Sequence, residues 1–134
     1  MQLIQAQTPE IILKLKDYWR KYIKKLKEGL EEGELNRLMM AFTPLNVNRL
    51  LILVDNKKEI HGFVLVFMGN VYNDLFVVQC STDRPKEMKK ALVEFAKKSG
   101  ATGIYFNTER SPRAWKRLLN VKNIGYTMKI NLGG

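Results

Sequence analysis

The sequence predicts a mixed α/β fold, one sheet with helices on both faces, in the order β-α-α-β-β-β-α-β-α-β. Two helical stretches, about residues 8–29 and 84–99, carry apolar side chains every three or four positions, the period of a half-buried helix. Between them runs a meander of strands separated by turn-rich tetrapeptides. Residues 75–78 are continuously apolar, as expected of a central strand covered on both faces.

A first short strand is expected over residues 2–6. Thr8 is positioned to cap the helix that follows, with Pro9 at its first position and Glu10 in its first turn. Ile12, Leu15, Trp19, Tyr22 or Ile23, Leu26 and Leu30 form the apolar stripe of that helix, which reads as sheet-covering core. A second, shorter helix spans residues 34–42 and stops before Thr43-Pro44. Arg49–Val54 and Ile60–Met68, joined by Asp55-Asn56-Lys57-Lys58, read as a hairpin. Gly69-Asn70 turns the chain into a third strand over residues 72–80. The helix from Arg84 to Ser99 buries Met88, Ala91, Leu92 and Phe95 and stops at Gly100. Gly103–Asn107 is a short strand, and Ser111-Pro112 starts a helix containing Ala114, Trp115, Leu118 and Leu119. Gly125-Tyr126 opens a last strand, in which Tyr126, Met128, Ile130 and Leu132 alternate with Thr127, Lys129 and Asn131.

At 134 residues the chain reads as one domain, residues 1–134, with no linker or repeat. No apolar run is long enough to span a bilayer as a helix, and MQLIQAQ lacks the features of a signal peptide. Cys80 is the only cysteine, so no intramolecular disulfide can form, and a reducing, cytoplasmic setting fits. His61 is the only histidine. With a single thiol beside it, neither a structural zinc site nor a Cys-His nucleophile is expected, and Cys80 reads as a buried inert thiol. The formal net charge of +10 would concentrate polyanions such as nucleic acid, anionic lipid or nucleotide cofactors around the protein, or serve solubility alone. Arg20, Lys21, Lys24, Lys25 and Lys27 line one side of the first helix, and Arg110, Arg113, Lys116 and Arg117 surround the last. Each cluster reads as a solvated face or as an anion surface for nucleic acid or an acidic protein patch. Neither carries a base-reading motif.

The stretch FVVQCSTDRPKEMKKALVEF, residues 76–95, is the most informative. It runs from an apolar strand through a polar turn into a helix opening at Arg84-Pro85. A helix start at the end of a buried strand offers unpaired N–H groups and the positive end of the helix dipole, a setting suited to phosphate.

The element order, with these residues, resembles the GNAT family of acyl-CoA-dependent N-acetyltransferases. That family's pyrophosphate turn has the form Arg/Gln-x-x-Gly-x-Gly/Ala. With Ala91-Leu92-Val93-Glu94-Phe95 fixing the register, Arg84 falls on the Arg/Gln position, while Glu87 and Lys89 fall where the family has small residues. The strand at residues 103–107, the helix with Ala114-Trp115 and the Gly125-Tyr126 pair resemble the small GNAT-like proteins of bacteriophages, which would extend the setting to a virion. The resemblance implies acetyl-CoA or coenzyme A held weakly by Val78, Gln79, Cys80, Arg84, Lys86, Glu87, Met88, Lys89 and Lys90, and an amine acceptor. Glu87 sets a negative charge near an anionic ligand, Pro85 removes a donor, and Asp83 could cap the helix and occupy the N–H groups a phosphate needs. Arg84, Lys86, Lys89 and Lys90 supply compensating positive charge. Where the family has a tyrosine in the last helix this chain has Leu118 and Leu119, and its central strand offers Gln79 and Ser81 in place of a carboxylate. Tyr105, Tyr126 and Asp74 read as structural. Two functions therefore stand: an N-acyltransferase with a degenerate pyrophosphate turn, and a non-catalytic binding or structural module, virion- or DNA-associated, that uses its basic surface.

Overall fold

The computed structural model describes residues 1–23, 38–43, 48–69, 74–107, 122–124 and 127–132. The predicted helix at 111–119, residues 24–37 and the Gly125-Tyr126 pair lie outside them. Among the described residues seven strands form one sheet: β1 (Gln2–Gln5), β2 (Arg49–Val54), β3 (Ile60–Met68), β4 (Leu75–Thr82), β5 (Gly103–Asn107), β6 (Lys122–Ile124) and β7 (Thr127–Asn131). Their spatial order is β1-β2-β3-β4-β5-β7-β6. Every pairing is antiparallel except β4 with β5, which α2 (Pro85–Lys98) joins as a crossover.

Alternation along β2 and β3 splits the core into two layers. Leu51, Leu53, Val64 and Val66 face α2, where Met88, Ala91, Leu92 and Ala96 pack with Ile104 and Ile130. Leu50, Ile52, Phe63 and Leu65 face α1 (Ile11–Tyr18), meeting Ile12, Leu15, Tyr18 and Trp19. Helices thus cover both faces, as the sequence predicts.

The elements depart from expectation in instructive places. β1 stops at Gln5, although Ala6 N–H still bonds Leu50 C=O. Thr8 does not cap α1: Glu10 occupies the N-cap with no side-chain bond, and the Thr8 hydroxyl instead bonds the Glu10 carboxylate, holding it below the usual carboxylate range. The three-residue backbone bonds Ile11→Thr8, Ile12→Pro9 and Leu13→Glu10 make the turn before α1 a tight 3-10 one. After Tyr18 the chain widens into a π-helical turn, Trp19–Ile23, and Tyr22 ends up exposed because the wider turn rotates it off the stripe. Residues 38–42 form a 3-10 helix where an α-helix was predicted; 34–37 lie outside the described residues. β4 continues past Cys80 to Thr82, and of its apolar run only Leu75 is buried, with Val78 half exposed. β6 was not anticipated; three residues give too short a pattern to read.

Two glycines answer geometric demands. Gly100 adopts φ +79° just past the end of α2, the left-handed conformation that closes a helix. Gly62, opposite Thr82, leaves no space for a Cβ, which would lie 2.7 Å from Thr82 Cβ and 2.9 Å from Met88 Cε.

Candidate functional site

The site begins with a mismatch between strands. Along the β3–β4 ladder Leu65 pairs with Gln79 and Val66 with Val77, so Val78 is an extra residue, a β-bulge. A bulge bends its strand and leaves the extra residue out of the ladder. On the other side β4 pairs with β5 only over Leu75–Ile104, Phe76–Tyr105 and Val77–Phe106. Beyond Val77 the two parallel strands share no rungs among the described residues, and a cleft opens between them.

Val77, Val78, Gln79, Cys80 and Thr82 line that cleft on the β4 side, with Phe106 and Ile130 across from them and Pro85, Met88, Lys89 and Leu92 from α2. It encloses about 150 Å³ and is mostly apolar. Cys80 and Lys89 are its titratable side chains among the described residues. Cys80 is solvent-exposed, which corrects the expectation of a buried thiol; yet on the wall of a concave cleft it is surrounded by enough protein to push its thiol up to about 12. It registers opposite Val64, whereas the ring of His61 meets Asp55 and Asp83, so no Cys-His pair forms.

At the mouth, the start of α2 is organised by residues 82–84. The Thr82 hydroxyl donates to His61 C=O at 2.6 Å and accepts the Arg84 N–H at 2.9 Å. Asp83 does not cap α2, contrary to expectation. Its N–H donates to Tyr18 Oη (2.8 Å), and its Oδ1 lies 2.7 Å from the same hydroxyl, which also faces His61 C=O at 2.9 Å. Burial first, and the Asp83 carboxylate second, raise the Tyr18 phenol above its ordinary value. Asp83 Oδ2 sits 3.5 Å from Arg84 Nε and 3.8 Å from His61 Nδ1, while His61 Nε2 meets Asp55 Oδ2 at 2.9 Å. No side chain caps α2, and its first helical bond is Met88 N–H to Arg84 C=O. The N–H groups of Lys86 and Glu87 therefore precede the ladder, while Arg84 N–H is taken and Pro85 has none.

Of the nine residues assigned from sequence, Val78, Gln79, Cys80, Met88 and Lys89 come together on the cleft wall. Arg84, Lys86, Glu87 and Lys90 are exposed around the start of α2. Val77, Thr82, Pro85 and Leu92 of the wall, though near assigned residues, were not assigned, nor were Phe106, Ile130 and Tyr18, which only the crossover from β4 to β5 and the packing of α1 bring here. Thr102 Oγ1 donates to the buried Asp74 carboxylate, and Tyr105 stacks on Phe76 at 5.4 Å. Of the basic clusters, Arg20 and Lys21 alone are described, Lys21 lying over the Tyr22 ring.

The fold is one shared with solved acetyltransferases. The whole chain superposes on aminoglycoside 6'-acetyltransferase type Ii with a TM-score of 0.68 at 16% identity, covering 100% of this chain and 99% of that one. Spermidine N-acetyltransferase from Vibrio cholerae, solved with CoA and spermine, gives 0.67 at 13% identity, covering 98% and 96%. Tetrahymena GCN5 gives 0.60 at 10% identity, covering 99% and 97%. No family model matches the sequence, and no curated protein matches it. The likeness is one of fold.

Proposed function

We propose that the protein is an acyl-CoA-dependent N-acyltransferase whose pyrophosphate turn has lost its glycines. One observation carries the reading: β4 and β5 part at the Val78 bulge, and the start of α2 stands at the mouth of the resulting cleft. A narrow, apolar, strand-walled cleft suits the extended arm of coenzyme A, and an uncapped helix start suits its diphosphate. The residues present fit that group unevenly. Lys86 and Glu87 offer backbone N–H groups, whereas Arg84 N–H is committed to Thr82. Arg84, Lys86, Lys89 and Lys90 make up the difference with side-chain charge, which predicts modest, salt-sensitive affinity.

Bound acyl-CoA supplies an activated thioester carbonyl. The chain's part is to align that carbonyl with the amine, and to polarise it through β4 backbone N–H groups freed where the ladder ends. Cys80 is given no role as nucleophile, because no activating base stands beside it among the described residues: the ring of His61 meets Asp55 and Asp83. Val77, Met88, Leu92 and Phe106 exclude water from the thioester.

Isothermal titration with acetyl-CoA tests the reading. Heat of binding with a Kd in the micromolar to millimolar range, weakened by Lys89→Ala and by salt, supports it; no heat and no thermal shift at millimolar ligand end it.

A further inference from the structure

Trp19 Nε1, His61 Nδ1 and Gln79 Nε2 are buried side-chain nitrogens with no hydrogen-bond partner among the described residues. An unmet buried donor costs about 1–3 kcal/mol, so such groups call for an explanation. His61 has one nearby, the Asp83 carboxylate at 3.8 Å. Trp19 and Gln79 have none among the described residues. Gln79 pairs with Leu65, and facing residues of an antiparallel ladder share a face; Leu65 belongs to the cluster that contains Trp19. Both donors therefore lie on the α1 side of the sheet. The main chain of Gln79 adjoins the Val78 bulge, where β4 leaves β5, and Gln79 also lines the cleft. Trp19, only 8% exposed, opens the π-helical turn, a helix irregularity that recurs at functional sites.

We infer that Gln79 and Trp19 are specificity-determining donors that bind a carboxylate of the acceptor, so that the preferred substrate is an amino acid or a similar carboxylate-bearing amine. This rests on the acyltransferase reading above. Both groups are N–H donors unpartnered among the described residues, and a carboxylate is the acceptor-only group that can satisfy two of them at once. Donation to an ionised acceptor is also the stronger kind of hydrogen bond. Charge points the same way: a chain of net charge +10 repels polycations such as spermidine and attracts carboxylates.

The test is a ¹⁵N–¹H titration of the full chain, in which a Trp115→Phe variant assigns the remaining indole resonance to Trp19 and Gln79→Leu assigns the Gln79 amide. Glycine, glutamate and phenylalanine are added separately at millimolar concentration, with spermidine as the control, in the presence of coenzyme A. At least one amino acid is expected to shift the Trp19 indole and Gln79 amide resonances, with no response to spermidine. Gln79→Leu and Trp19→Phe are each expected to raise the KM for the responding amino acid about ten-fold, and Trp19→Phe, which lies off the cleft wall, is expected to change the Kd for coenzyme A less than about two-fold. If no amino acid moves either resonance, or if spermidine moves them more, the inference is overturned. If coenzyme A itself leaves residues 77–90 unperturbed, the acyltransferase reading falls instead, and amino-acid shifts would then mark a binding site without that chemistry.

Discussion

The hydroxyl of Tyr18 lies 2.8 Å from the backbone nitrogen of Asp83 and 2.7 Å from its carboxylate, joining the end of α1 to the turn that opens α2. One side chain thus accepts from the main chain of that turn and donates back to the same residue. With Thr82 bonding both His61 C=O and Arg84 N–H, this fixes residues 82–84 from two sides. The mouth of the cleft is therefore held by α1 and β3, elements that contribute nothing to its wall.

Tyr18→Phe removes the brace while keeping the ring. The Asp83 N–H loses its partner, and the expected cost is about 1–3 kcal/mol, since an unmet polar group in a partly buried site retains most of its desolvation penalty. Urea denaturation measures it through the midpoint at unchanged slope. The variant should also bind acetyl-CoA more weakly than its stability loss explains, because the helix start is no longer pinned. Unchanged stability would show that water replaces the hydroxyl fully.

Asp55 holds the β2–β3 turn: its Oδ1 accepts the N–H groups of Lys57 and Glu59, and its Oδ2 meets His61 Nε2. The bond to His61, ahead of those backbone bonds, keeps its carboxyl below the usual range. A depressed folded-state pKa contributes stability that is present above the unfolded value, about 3.9, and is lost as pH falls through the folded value. Asp55→Asn should therefore flatten the stability–pH curve below about pH 4. A variant curve parallel to that of the wild type on this acid limb would contradict the assignment.

Much of this was legible in the sequence, for identifiable reasons. The hairpin Arg49–Val54 to Ile60–Met68 appears as expected because a turn-rich tetrapeptide separates two apolar runs. α2 was readable from Arg84-Pro85 at one end and Gly100 at the other. The bulge was not, because Val78 looks like any other member of Phe76-Val77-Val78 until its partner strand is known. Nor was the π-helical turn, since Trp19 and Tyr22 fit an ordinary helical stripe equally well. The contact between Tyr18 and Asp83 spans 65 positions, beyond any local pattern. Asp83 was consequently read as a cap, the role its neighbours suggest, when a distant hydroxyl had claimed it.

Cys80 gives a chemical reading of the cleft. Although exposed, its sulfur sits on the wall of a concave cleft that raises the thiol above its ordinary value, so the thiolate fraction at about pH 7.5 should lie below that of a free cysteine. Reaction with iodoacetamide should be correspondingly slow, rise with pH through the alkaline range, and slow further when coenzyme A is added. Alkylation at the rate of free cysteine at pH 7.5, unchanged by coenzyme A, would show that the cleft wall does not crowd the sulfur.

Gly62 offers the sharpest structural test, because it serves the cleft without lining it. A methyl at this position would lie 2.7 Å from both Cβ and Oγ1 of Thr82 and 2.9 Å from Met88 Cε. The Met88 tip is flexible and can yield, but Thr82 cannot swing away without surrendering its bonds to His61 C=O and Arg84 N–H. Gly62→Ala should therefore cost about 1–3 kcal/mol by overpacking, and displace the end of β4 from β3. That displacement shifts the α2 start relative to the cleft, so acetyl-CoA affinity should fall with stability. Adding Met88→Leu, which shortens the reach of the side chain, should recover little, since the obstruction that matters is Thr82. Full recovery by the Met88 change alone would assign the crowding to the helix and leave the strand end free to move.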